Sequence, residues 1–64
     1  MNAGHNWKNA IQHGIANAKR TGTDRYIFAY GGVFWLDTSR IKNSTVIHPN
    51  DTIEDVVARA RAKR

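Results

Sequence analysis

Between Asn6 and Arg20 the chain places Trp7, Ala10, Ile11, Gly14, Ile15 and Ala18 at steps of three and four, separated by polar or charged residues. That is the period of an α-helix with one apolar stripe. Asn6 suits the N-cap, Lys19 and Arg20 suit the negative end of the helix dipole, and Gly22 suits the stop. The spacing predicts a helix over about 6–20. Gly14 inside it lowers helix stability by about 1 kcal/mol relative to Ala and so calls for a compensating contact. With Ala10 and Ala18 it makes a ridge of small side chains that lets the helix lie close against a sheet.

The period shortens at Arg25. Arg25 to Tyr30 and Val33 to Asp37 are rich in β-branched and aromatic residues and are joined by Gly31-Gly32. Two glycines between such runs predict a two-residue hairpin over about 25–37, because both central positions of a type I′ turn need positive φ. The register pairs Tyr30 with Val33, Phe28 with Trp35 and Tyr26 with Asp37. A polar connection over 38–43 leads to a third, shorter strand, "STVIH" over 44–48, stopped by Pro49. Asp51-Thr52-Ile53-Glu54 reads as a capping box with Asp at the cap. It opens a second helix over about 51–62 whose stripe is Ile53, Val56, Val57 and Ala60. Its first turn is acidic and its last turns are basic, as the dipole favours. Residues 1–5 read as a flexible lead-in.

The order is α-β-β-β-α, and the fold class is a small two-layer α+β domain with both helices on one face of an antiparallel sheet. Ile27, Ala29, Phe34 and Leu36 form a wholly apolar face suited to the helices, with Ala29 opposite the Gly14 ridge. Tyr26, Phe28, Tyr30, Val33 and Trp35 then fall on the other face, which no element is left to cover. Such a patch marks a contact surface for another molecule, the interface of a homodimer, or rings that pack on one another and on the 38–43 loop. Double-stranded-RNA-binding domains share this element order. Those domains start their final helix with basic residues, however, whereas this chain has "DTIED", so the likeness stops at order.

Charge sharpens the picture. Across 64 residues there are 10 Lys and Arg against 5 Asp and Glu, a net charge of +5. Nucleic acid, an acidic protein surface and anionic lipid are all partners compatible with that excess. Arg25, Arg40 and Lys42 lie beside the ring strands in sequence, and Arg59, Arg61, Lys63 and Arg64 cluster at the end of the second helix. Cysteine is absent, which removes disulfides and thiolate metal sites and fits a reducing compartment. No apolar run reaches the roughly 18 residues of a membrane span, and "MNAGHNWKN" lacks the apolar stretch of a secretory signal. The expected location is cytoplasmic. The second helix carries no aromatic residue on its apolar stripe, which argues against a membrane partner.

No catalytic, cofactor or metal motif stands out. His5, His13 and His48 have no i, i+4 spacing to share an ion, no Gly-rich loop follows a strand into a helix, and Ser39 and Ser44 have no activating partner in sequence. The expected function is non-enzymatic binding of nucleic acid. Tyr26, Phe28, Tyr30 and Trp35 would stack bases, while Arg25, Arg40, Lys42, Arg59, Arg61, Lys63 and Arg64 would hold the backbone. The alternative is a phage- or plasmid-type accessory protein that inhibits or regulates a host protein through the same rings.

Overall fold

In the computed structural model, which describes residues 1–62, the first apolar stripe becomes helix α1, Trp7–Thr21. The Asn6 side chain accepts a bond from the Asn9 N–H at 3.0 Å, and Gly22, at φ 69°, returns its N–H to the Ala18 carbonyl. These are the end groups a helix cannot satisfy within itself. The second stripe becomes helix α2, Ile53–Arg61. Its cap is one residue later than the sequence suggested: Thr52 accepts from the Asp55 N–H and Asp55 answers the Thr52 N–H. Thr52 wins this place because Asp51 is engaged elsewhere, as described below.

The ring-rich hairpin forms β2, Arg25–Tyr30, and β3, Val33–Asp37, in the register expected from Gly31-Gly32. Both glycines have positive φ, 62° and 79°. The third predicted strand is Thr45–Ile47 and pairs with β2 at an edge of the sheet. The N-terminal residues are not a loose lead-in. Asn2–Gly4 form a strand that pairs antiparallel with β3 across from Trp35 and Phe34. Met1 extends this pairing through two 2.8 Å bonds with the Leu36 backbone. In chain order the strands are therefore β1 (Asn2–Gly4), β2, β3 and β4 (Thr45–Ile47), arranged β1-β3-β2-β4.

Both helices pack on one face of this four-stranded antiparallel sheet. Ala10, Ile11 and Ile15 of α1 and Val56 of α2 meet Ile27, Leu36 and Ile47 in one cluster. Ile11, Ile27, Ile47 and Val56 are fully buried, and each such side chain contributes roughly 1.5–3 kcal/mol relative to exposure. Trp7 lies on Phe34 at 4.9 Å between centroids, at the edge of the cluster.

Two connections cross the sheet. β1 leads through α1 to β2, and β3 leads through 38–44 to β4; each joins parallel strands separated by one antiparallel neighbour. They step the same way across the sheet along strands of opposite sense. The common right-handed preference therefore places them on opposite faces. The helix takes one face, and the preference gives the ring side to the middle of the 38–44 connection, whose ends, Thr38 and Asn43, line openings shared with helix-face residues. In the middle of this connection Ile41 is half-buried and lies outside the core cluster. Cover of the rings by the 38–43 loop is one of the arrangements the sequence leaves open, and this course of the chain favours it over a wholly bare face.

Gly14 finds its compensating contact, though not with Ala29, which is exposed. A Cβ at Gly14 would lie 2.5 Å from Ile47 Cδ1 and 3.0 Å from Leu36 Cδ2. Overpacking of about 1–3 kcal/mol then outweighs the helix propensity of about 1 kcal/mol gained by Ala. Gly14→Ala is expected to destabilise by about 1 kcal/mol in urea unfolding. Ile47→Val deletes the clashing Cδ1 and costs about 0.5–1.5 kcal/mol alone. The double variant should be more stable than the two single losses imply, by about 1 kcal/mol. Strict additivity would show that helix and strand do not meet at this point.

Candidate interaction face

The pleat sends Tyr26, Phe28 and Tyr30 of β2, with Val33 and Trp35 of β3, to the face away from the helices. Val46 joins them, paired with Tyr26. The rings are not equally presented. Tyr30 is 74% exposed, whereas Tyr26, Phe28 and Trp35 are half-buried. Tyr26 and Phe28 belong to β2, the strand that the 38–44 connection crosses. Trp35 is held differently: its indole N–H donates to the Tyr30 carbonyl at 2.9 Å. That bond spans the hairpin diagonally, so the ring braces the turn that carries Tyr30.

The connection brings charge to this face. In Arg40-Ile41-Lys42 the central side chain is half-buried and both neighbours are exposed. Ile41 is the inward group of the three, and the two exposed cations flank it in the connection that crosses β2. Ser44 closes the segment by donating from its hydroxyl and its N–H to the Ile41 carbonyl. Asn43 takes φ 67°, a conformation Asn tolerates better than most residues. Among the described residues the ion pairs are His48–Asp24 and Arg59–Asp51, so Arg40 and Lys42 are not consumed by either.

Two other predicted basic contacts lie elsewhere, for structural reasons. Arg25 pairs with Ile47 in the sheet and so shares the helix face. Its guanidinium donates to Thr23 Oγ1 at 2.7 Å, Thr21 Oγ1 at 3.1 Å and the Asp24 carbonyl at 3.1 Å, tying the end of α1 to β2. Arg59 donates to both Asp51 oxygens, at 2.7 and 3.1 Å, and to the Val46 carbonyl at 2.8 Å. This guanidinium blunts the open side of edge strand β4, where an unpaired carbonyl would invite another strand. Arg61 is exposed on α2 and borders a groove with Lys8, Ile53 and Val57. Lys63 and Arg64 lie outside the described residues.

Sequence reasoning passed over Ile41 and Lys8. A lone β-branched residue between two cations in an otherwise polar connection was the available signal for Ile41. Lys8 gave none beyond its charge. The histidines are dispersed: His5 Nδ1 lies 3.0 Å from the Gly32 carbonyl, His48 Nδ1 lies 2.9 Å from Asp24, and His13 is exposed on α1. Among the described residues no group of three His, Asp or Glu could hold a metal ion, and no helix is long and apolar enough to cross a membrane. Comparison with protein-family models, curated proteins and solved structures returns no match.

The Arg59–Asp51 clamp sets an acid limit on the fold. The bond from Arg59 holds the Asp51 carboxyl below its ordinary value of 3.8, aided by the His48 N–H, against a smaller opposing effect of burial. A carboxylate with a depressed folded pKa adds stability above its unfolded pKa and loses it as the pH falls through the folded one. Thermal stability is therefore expected to decline below about pH 4, the ordinary carboxylate range. Asp51→Asn should lower it at pH 7 by about 1–2 kcal/mol, allowing for the partial exposure of Arg59, and should flatten that acid decline. An Asn variant with wild-type stability and an unchanged acid limb would place the limit elsewhere.

Proposed function

We propose that this chain is a small, non-catalytic nucleic-acid-binding protein that works through the ring face and its crossing connection. The observation that carries the reading is that two exposed cations, Arg40 and Lys42, lie in the connection that crosses β2, the strand bearing Tyr26, Phe28 and Tyr30. Tyr30 offers an exposed stacking surface at the hairpin tip. Stacking on an aromatic side chain is worth about 1–3 kcal/mol per base, and every base has a face to stack. Tyr26, Phe28 and Trp35 act mainly as the platform under Tyr30 and the connection. The net charge of +5 favours approach of a polyanion.

The division of labour makes the reading testable by Trp fluorescence titration with short single-stranded and duplex oligonucleotides at two salt concentrations. Tyr30→Ala removes an exposed ring, so the fold should persist by circular dichroism while affinity falls roughly 5- to 150-fold. Arg40→Ala with Lys42→Ala should weaken binding to all sequences and reduce the salt slope by about 0.7–0.9 for each phosphate no longer neutralised. Wild-type affinity in both variants overturns the proposal. Absence of oligonucleotide binding in the parent chain also overturns it and favours a protein-directed regulator using the same rings.

A further inference from the structure

On the helix side, a second opening lies between the start of α1 and the end of α2, over the hairpin. It is a cleft of about 370 Å³ whose walls include Trp7, Phe34, Ala29, Ala60, Asn43 and Thr45. The helices leave it because α2 is short and neither helix covers Ala29, which stays exposed. Aromatic and small apolar side chains with a few polar groups in a space of this size are the usual make-up of a small-ligand site.

The polar groups are the telling part. Thr45 is only 5% exposed, yet among the described residues its hydroxyl is not used in any side-chain hydrogen bond. It is not sealed off either, since among the described residues no buried side-chain nitrogen or oxygen lacks a partner. Its opening is therefore the cleft it lines. Asn43 adds a carboxamide, which both donates and accepts, held at the rim by a backbone at φ 67°. Trp7 is half-buried, tilted 47° against Phe34, and retains ring surface toward the opening. Exposed Lys42 and Arg61 directly adjoin lining residues Asn43 and Ala60 in the chain.

From this we infer that the cleft is a binding site for a planar heteroaromatic base bearing phosphate. The ring would lie against Trp7, its hydrogen-bonding edge would meet Asn43 and Thr45, and its phosphate would lie toward Lys42 or Arg61. A free nucleotide and a base within a strand share this chemistry. The site meets the ring face at Phe28, which also lines it, but the exposed stacking residue of that face, Tyr30, is not among its walls.

The chain has two tryptophans, so Trp35→Phe leaves Trp7 as the sole reporter. In that background, adenosine and guanosine monophosphates, inorganic phosphate, indole and a short single-stranded oligonucleotide are titrated in turn. Saturable quenching by a mononucleotide is expected, weakened at least fivefold by Thr45→Val, and likewise by Asn43→Gly, which keeps the positive φ accessible. Ala29→Leu, which fills the cleft from an exposed position, should abolish it. Saturation by the oligonucleotide alone, again blocked by Ala29→Leu, assigns the ring to a strand. An equal response to inorganic phosphate, an equal response to indole, linear collisional quenching, or indifference to Ala29→Leu overturns the inference. Tyr30→Ala should leave the mononucleotide response unchanged, so failure here and failure of the ring-face reading give different results.

Discussion

The register of the β2–β3 hairpin governs the rest of this structure. Side chains alternate along a strand, so a one-residue slip would exchange the two faces completely. With Gly31 and Gly32 at positive φ the turn admits one pairing. Ile27 and Leu36 then meet the helices, and Tyr26, Phe28, Tyr30 and Trp35 go to the opposite side. Trp35 reinforces that choice through its indole bond to the Tyr30 carbonyl across the hairpin. The side chains that define the candidate interface thus also hold the register that creates it.

A second constraint follows from strand order. Once β4 pairs with the free side of β2, the chain must travel back across β2 after leaving β3. The helix side is already filled by α1, and the right-handed preference favours a return over the rings. This explains why one short segment is both structural and available for contact. Its middle residue, Ile41, packs inward, while Arg40 and Lys42 stand exposed. A loop at the sheet margin would have separated those cations from the aromatic surface.

Much of the fold was legible because its signals are local. Helical stripes, the Gly-Gly turn, the basic end of α2 and the short strand before Pro49 each depend on neighbouring residues. What escaped was set by distant partners. Asn2–Gly4 carries no strand pattern, and its pairing with β3 organises it from outside. The α2 cap moved to Thr52 because Asp51 binds Arg59 and the His48 N–H, contacts that span the β4–α2 junction. Ala29 was matched to Gly14 on size alone, but α1 crosses where Ile47 and Leu36 project. The division of the rings into two faces was readable; their partial cover depended on strand order, which alternation cannot specify.

The same distinction applies to charge. Sequence proximity grouped Arg25 with the rings and Arg59 with the basic end of α2, yet both guanidiniums are drawn into bonds that hold helix to sheet. Arginine is well suited to this work, since its planar fork can satisfy a carboxylate and a carbonyl together. The cations not used this way include Arg40 and Lys42 in the connection that crosses β2 and Arg61 near the end of α2. Net charge alone is spread over a whole molecule, and it is the fold's use of particular arginines that localises what is left. Here the exposed remainder includes Lys42 and Arg61, whose chain neighbours Asn43 and Ala60 line the cleft beside Trp7.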